Sequence, residues 1–336
     1  MRRQMSQASQ SILKNIRLHL AATYSVLRVS ESSGKKWHAE AALLFVVTVW
    51  GVNYPLLKSV MEVMHPHMIN SFRFSISILV LGGIYLYRRR QTGLPVWEPL
   101  RKYPLRIAGL GALGFIVYQH LFVHGIYHTT AGNAALIMTS VPLWTVLLSA
   151  TLGTERIRGR TWFALPFVLV GAMVIVVGGA GTISFDSGIF LGNVLMLGAA
   201  CSWGCYTALN KPMLRHVSAT GLTFLALMFA LPVLIGMGLP EIAHTDWSAV
   251  TPRHWAIIVY SGGLSTGLVL ALWNNAVNHV GASHTAAYGN LVPLTALTAS
   301  YLLLGETVSL IQIIGGATVI GGLLILRGMR RKAAPV

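Results

Sequence analysis

Acidic residues and cysteines are scarce in this chain of 336 residues. It has 9 Asp and Glu against 25 Lys and Arg, and charged residues make up only 10% of the sequence. A soluble domain usually has about 25% charged residues, so this composition is far from that of a soluble domain. The two cysteines, Cys201 and Cys205, lie about one helical turn apart, which excludes a disulfide framework.

The chain has long apolar runs instead, and 54% of its residues are hydrophobic. Runs of about 20 residues follow one another from residue 41, and each is long enough to cross about 30 Å of hydrocarbon. The sequence therefore predicts an all-α integral membrane protein with ten transmembrane helices. The predicted spans cover residues 41–57, 66–87, 107–126, 130–151, 161–179, 188–210, 219–239, 254–276, 282–304 and 309–326.

The basic residues lie almost entirely on one side of these spans. Of the 25 Lys and Arg, 22 fall on that side, while Lys58 and Arg253 lie on the other and Arg73 lies within a span. The positive-inside rule then predicts that both termini are cytoplasmic, with residues 1–40 as a basic arm. The net charge of +16 thus reflects topology and attraction to anionic lipid, and no nucleic-acid partner is expected.

Two parts of the sequence recur about 150 residues further on. Residues 131–157 align without gaps with 282–308 at eight identities in 27, and these include Pro142 with Pro293 and Glu155 with Glu306. A Trp-Gly pair followed by a lysine also recurs, at residues 50–58 and 203–211. The pattern predicts two copies of one structural unit.

The two predicted units have five spans each, over residues 41–180 and 187–327, and a cytoplasmic tail follows at 328–336. Because five is odd, the second unit enters the membrane from the opposite side, as in secondary transporters with inverted repeats. The prolines Pro55, Pro142 and Pro293 indicate where helices kink or break.

Several short motifs have the form found in one family of membrane proteins. These are Trp50-Gly51-x-Asn53, Pro66 with Arg73-Phe74, Leu152-Gly153-x-Glu155 and Leu304-Gly305-Glu306. Over residues 41–327 the chain resembles the EamA-type branch of the drug/metabolite transporter superfamily. The resemblance implies two EamA repeats and alternating access around a central cavity. Members of that family move amino acids, aromatic compounds, nucleosides, sugars or other metabolites, frequently outward.

Two glycine motifs match enzyme signatures but lie inside predicted spans. Residues 109–114 have the spacing of a dinucleotide fingerprint, and 263–267 have that of a serine-hydrolase elbow. The first lacks an acidic residue about 20 positions further on, and the second lacks a histidine after Glu306, the only acid downstream of it. Close packing of membrane helices explains both motifs better, and we expect no enzyme activity.

Histidines 120, 124 and 128 are spaced to lie on one face of the third span. Such a row can bind a metal ion or relay protons, and both alternatives stay open. No Asp or Glu lies inside a predicted span to complete a metal shell, so no metal ligand and no cofactor are assigned. An intramembrane histidine–metal enzyme is a remote alternative, and a non-transporting receptor or lipid scrambler is another.

Arg73 is a full charge well inside a predicted span. An unpaired arginine near the bilayer centre costs at least about 3 kcal/mol, so its side chain must face protein or a wet cavity. It can bind a substrate carboxylate, or it can pin helix ends as a structural residue. The sequence leaves both roles open.

The polar and aromatic residues within the spans are the candidates for binding a solute. Flat rings next to hydrogen-bonding groups are typical of ligand cavities, although ordinary contacts between helices can use the same residues. The predicted substrate-binding residues are Trp50, Asn53, Arg73, Gln119, His120, Asn133, Trp203, Tyr206, Trp273, Asn274, Tyr288 and Asn290.

Together these features predict a secondary transporter in the bacterial inner membrane, with the lipid bilayer and a small-molecule substrate as partners. We expect a small polar or aromatic metabolite, foremost of amino-acid type, and export by alternating access. The alternative is a transporter or exchanger of an anionic, nucleoside or sugar-type metabolite. The oligomeric state is left open between a monomer and a homodimer.

Overall fold

A computed structural model describes residues 40–152, 159–178, 188–270, 272–273, 288–289 and 291–331 of the chain. All regular structure in these ranges is helical, which confirms the predicted all-α class. The helices are α1 (Glu40–Val60), α2 (Pro66–Thr92), α3 (Pro104–His128), α4 (Ala131–Thr151), α5 (Gly159–Gly178), α6 (Gly188–Asn210), α7 (Ala219–Gly238), α8 (252–268), α9 (Val292–Leu304) and α10 (Leu310–Arg331). Each of the ten predicted spans overlaps one of these helices.

Six of these helices are long and apolar enough to cross a membrane: α1 to α4, α6, and α7 together with the turn that follows it. Shorter apolar stretches lie in α5, α9 and α10. The ends of α2 show how the sequence sets these limits. Pro66 occupies its first turn, where a missing N–H costs nothing, and Gly93 ends it at a φ of 65° that disfavours other residues.

Each helix of the first half has a counterpart five places further on, so that α1 corresponds to α6 and α2 to α7. Where two helices pack together, their two counterparts also pack together. α2 packs on α7 and α5 packs on α10, and in both pairs the two helices are counterparts of each other. α3 packs on α6, and α1 correspondingly meets α8, where the Tyr260 hydroxyl donates a 2.8 Å hydrogen bond to the Val49 carbonyl. α4 packs on α6, and α1 meets α9 through a 3.0 Å bond from Thr295 Oγ1 to the Val47 carbonyl.

The recurring Trp-Gly pair lies at these exchanged contacts. Gly51 of α1 lies directly against Thr295 of α9, and Gly204 of α6 lies directly against Trp144 of α4. Thr295 and Trp144 are themselves 151 residues apart, so the two contacts, each of which joins one half to the other, are counterparts. A glycine is needed at both places because a β-carbon there would overlap the facing helix.

Pro142 and Pro293 each stand in the first turn of a helical segment. In α4, a turn at Thr139 and Ser140 separates Ala131–Met138 from Val141–Thr151, so Pro142 stands in the first turn of the second segment. Pro293 has the same place in α9, which begins at Val292 after a turn at Leu291. The predicted break at Pro142 is confirmed, whereas most of the predicted ninth span before Pro293 lies outside the described residues.

Two features of the helices depart from the sequence expectation. α1 continues through Pro55 to Val60, so this proline does not end the helix. α3 and α8 each contain a π-helical segment, Ala112–Val117 and Tyr260–Leu268, at corresponding positions of the two halves. π-helical turns inside α-helices are rare and occur frequently at functional sites.

We expect Gly204→Ala to destabilise the fold, because the added β-carbon would overlap the Trp144 side chain and the backbone of α4. Overpacking of this kind costs about 1–3 kcal/mol. Thermal unfolding of the purified protein in detergent measures the effect. Gly83→Ala is the matched control, since nothing lies within 4 Å of its added methyl group. Equal melting temperatures for the two variants would contradict the close approach of α4 and α6.

Candidate functional site

Aromatic side chains of α3 and α6 form one continuous face in the interior. The Tyr118 and Trp203 ring centroids are 4.7 Å apart, and Trp203 stacks on Tyr206 at 4.9 Å. Phe122 extends the face, 5.4 Å from Tyr118, and meets Tyr54 of α1 at 5.7 Å. The predicted residues Trp203 and Tyr206 are thus brought together.

A second aromatic pair lies at the counterpart of this contact, which joins α1 to the residues after α8. The Trp50 and Trp273 ring centroids are 5.0 Å apart, and Trp50 Nε1 donates a 3.0 Å hydrogen bond to the Ser265 carbonyl within the π-helical segment of α8. Trp50 and Trp203 are counterparts in the sequence repeat. Trp50 packs against α8 and Trp203 packs against α3. Because α8 is the counterpart of α3, the two contacts are equivalent.

Arg73 is buried, with 4% of its surface exposed, and its charge is poorly compensated. Its Nη1 donates one long bond of 3.5 Å to Asn70 Oδ1, and its guanidinium carbon lies 4.8 Å from the centroid of the Phe74 ring. Within the described part of the chain no carboxylate forms an ion pair with it, and its Nε has no hydrogen-bond partner. This guanidinium can therefore accept an anionic partner.

Two predicted amides also have a buried atom without a partner. Asn53 Oδ1 and Gln119 Oε1 accept no hydrogen bond from any described residue. Buried polar atoms in folded proteins are bonded in the great majority of cases, and an exception calls for an explanation such as a bound water or ligand. Together with Arg73 Nε, the interior has one unpaired donor and two unpaired acceptors among the predicted residues.

Asn133 has a different environment, with no exposed surface. Its Nδ2 donates 3.3 Å bonds to Thr129 Oγ1 and Asn193 Oδ1, and its Oδ1 accepts a 2.5 Å bond from Gln312 Nε2. These bonds join α4 to α6 and α10, two helices of the other half. The structure therefore gives Asn133 a packing role, and its contact with a solute stays a prediction.

His120 is exposed and does not join the aromatic face. From Tyr118 to His120 an α-helix turns about 200°, so the two side chains point to opposite faces of α3. His120 instead contacts His67 of α2 and His124 of its own helix. Tyr288 is half-buried in a short described segment, and the predicted residues Asn274 and Asn290 lie outside the described residues.

The sequence did not assign a role to a charged contact between the two halves. Glu306, which follows α9, accepts bonds of 3.0 Å from the Ala131 N–H and 3.2 Å from the Gly132 N–H. These are the first N–H groups of α4, which have no partner inside their own helix. Lys58 donates to the carbonyls of Ile126 and Thr129 and interacts electrostatically with Glu306. The one feature of the sequence that could have indicated this contact is the repetition of Glu155 as Glu306.

These features define an all-α, multi-pass membrane transporter built from two related halves. A family model described as the EamA-like transporter family matches the chain twice, at residues 38–177 and 190–328, so the chain belongs to that family. The two matches confirm the predicted family and its pair of repeats. Its relatives are named as transporters or efflux pumps, in agreement with the expectation that the chain is not an enzyme.

Three curated relatives illustrate this similarity. A "Probable terminal-alkyne amino-acid exporter" of Streptantibioticus cattleyicolor is 27% identical over 87% of this chain and 96% of its own length. A "Probable amino-acid metabolite efflux pump" of Salmonella typhimurium is 26% identical over 84% and 92%, and "Uncharacterized transporter YetK" of Bacillus subtilis is 23% identical over 87% of each chain. A solved structure described as "Crystal structure of protein" shares the fold, with a TM-score of 0.59 and 19% identity over 88% of this chain and 99% of that one.

The hydrogen bonding of Asn133 and Asn53 predicts that only the removal of Asn133 lowers the stability of the fold. Asn133→Ala deletes three hydrogen bonds between buried side chains, so we expect a loss of stability of roughly 1–3 kcal/mol. Asn53→Ala removes an oxygen that has no described partner, so the melting temperature is expected to change little. Thermal unfolding of both purified variants in detergent makes the comparison, and an equal loss in the two would refute it.

Proposed function

We propose that the protein exports a small polar or aromatic metabolite of amino-acid type across the bacterial inner membrane by alternating access. The observation that carries this proposal is the set of unpaired buried atoms. Arg73 Nε is a charged donor, which suits a carboxylate, whereas Asn53 Oδ1 and Gln119 Oε1 are acceptors, which suit an ammonium group. A zwitterionic solute complements both kinds of atom.

The aromatic face suits the remaining part of such a solute. Ring contacts lead from Arg73 over Phe74 to Phe115 at 5.9 Å, and from Phe115 to Tyr206 at 6.0 Å. In this proposal Trp203, and Trp50 in the other half, stack on the apolar portion of the solute. The names of two relatives mention amino-acid substrates and export, which supports the same choice.

Alternating access is supported by the contact of Glu306 with the start of α4. We propose that this contact opens when the other end of the solute pathway closes, so that one end is closed while the other is open. The distribution of Lys and Arg supports cytoplasmic termini, with the Glu306 contact at the outer end.

The alternative substrate class is an anionic metabolite without an ammonium group. The buried charge of Arg73 favours it, while the two unpaired amide acceptors do not. Competition among solutes separates the two classes, because an amino acid, its amide and the matching carboxylic acid without nitrogen differ in one charged group at a time.

Arg73→Gln is expected to lower uptake of amino acids by about 10- to 100-fold in proteoliposome counterflow, since hydrogen bonds to charged groups contribute about 1.5–3 kcal/mol. The selectivity for the acid over its amide should disappear as well. Arg253→Gln changes an exposed basic residue in the first turn of α8 and serves as the control. If the folded Arg73→Gln protein retained its preference for carboxylates, Arg73 would not be the anion-binding group.

Glu306→Gln should slow exchange without weakening solute binding, because it reduces the charge at the contact between the halves and leaves the aromatic face intact. We expect a decrease of roughly tenfold in exchange rate, in line with about 1.4 kcal/mol per factor of ten. Binding of the solute to purified protein, followed by tryptophan fluorescence, should be unchanged. Glu98→Gln, at an exposed acid, is the control, and equal rates for both variants would argue against a gating role.

A further inference from the structure

Three histidines from two helices meet outside the aromatic face. The side chains of His67, His120 and His124 each present a ring nitrogen, and these three atoms lie within 4.8 Å of one another. His67 Nε2 is 3.1 Å from His124 Nε2, and the His67 and His120 rings stack at 5.1 Å. His67 precedes the other two by more than fifty residues, so the cluster exists only in the folded chain.

We infer that His67, His120 and His124 form a binding site for one divalent transition-metal ion of the Zn²⁺ class. Imidazole nitrogens bind Zn²⁺ at about 2.0–2.1 Å, which puts two nitrogens of one tetrahedral ion about 3.4 Å apart. The separation of His67 Nε2 and His124 Nε2 is already close to that value, and small rotations bring the third nitrogen into range. Three histidines leave a fourth position for water.

The position of the cluster allows an ion to reach it. His67 is the second residue of α2, and His124 lies one helical turn before the end of α3 at His128, so the cluster is near the ends of both helices. The His120 side chain is exposed, and the other two are half-buried. An ion entering from the aqueous side therefore does not have to cross the apolar interior.

The surroundings of the cluster favour a cation. His65 Nδ1 accepts a 3.4 Å hydrogen bond from the His67 N–H and lies 3.5 Å from Glu241 Oε1, so a carboxylate of the other half is next to the site. The His65 ring is also 5.9 Å from that of His124. Groups that surround metal ligands commonly orient them and adjust their affinity. His128, by contrast, contacts Tyr127 and is not part of the cluster.

The experiment uses the full-length protein with its affinity tag removed, purified in detergent and treated with a chelator. Equilibrium dialysis against Zn²⁺ with elemental analysis should give one ion per chain. Co²⁺ used as a second probe should give the intense visible absorption of a four-coordinate ion. Zn²⁺ should also raise the melting temperature, because it binds the folded chain and joins α2 to α3.

The variants His67→Gln and His124→Gln should each lower the affinity for Zn²⁺ at least about tenfold and abolish the Co²⁺ band. His120→Gln changes an exposed ring, so it keeps the test available if either of the others fails to fold. His216→Gln is the control, since His216 contacts Tyr103 instead of the cluster. Binding below one ion per chain, or equal affinity in wild type and all variants, would mean that the histidines only hydrogen-bond to one another and would overturn the proposal.

Discussion

The bond between Glu306 and the first N–H groups of α4 is the contact on which the arrangement of the two halves depends. A helix end inside a membrane protein needs partners for its free N–H groups, and here the carboxylate of Glu306 from the other half accepts hydrogen bonds from two of them. If this contact opens, the same N–H groups must be hydrated. Separation of the halves and entry of water at that end therefore have to occur together, which is the behaviour that a transporter gate requires.

The π-helical segment of α3 determines the direction in which the aromatic face points. The segment Ala112–Val117 ends immediately before Tyr118, and an inserted residue rotates everything that follows it along the helix. Tyr118 and Phe122 thereby face α6 and α1, while His120 and His124 face α2. The π-helical segment thus sets the directions in which the aromatic surface and the histidine cluster face, while the turn of about 200° between Tyr118 and His120 keeps the two on opposite sides of α3. The π-helical segment of α8 occupies the corresponding place beside Trp50.

Periodic features of the fold could be predicted from the sequence, and contacts between distant segments could not. Apolar runs predicted the spans and Pro142 predicted the break in α4, because hydrophobic length and a missing N–H are local properties. The histidine cluster depends on His67, which helical spacing cannot relate to His120, so the sequence pointed to His128 instead. Nor does a sequence distinguish Asn53, with its unpaired oxygen, from Asn133, whose amide is bonded to α6 and α10.

The isolated charge of Arg73 constrains the chemistry of any solute in the proposed site. A buried guanidinium that has no carboxylate partner among the described residues repels a second cation and attracts an anion, and the low dielectric constant of the interior strengthens both effects. A solute with a carboxylate removes the unpaired charge on arrival and restores it on leaving. Reorientation of the empty site from one side of the membrane to the other then costs more free energy than reorientation of the occupied site. The proposed mechanism therefore favours exchange of one carboxylate-bearing solute for another.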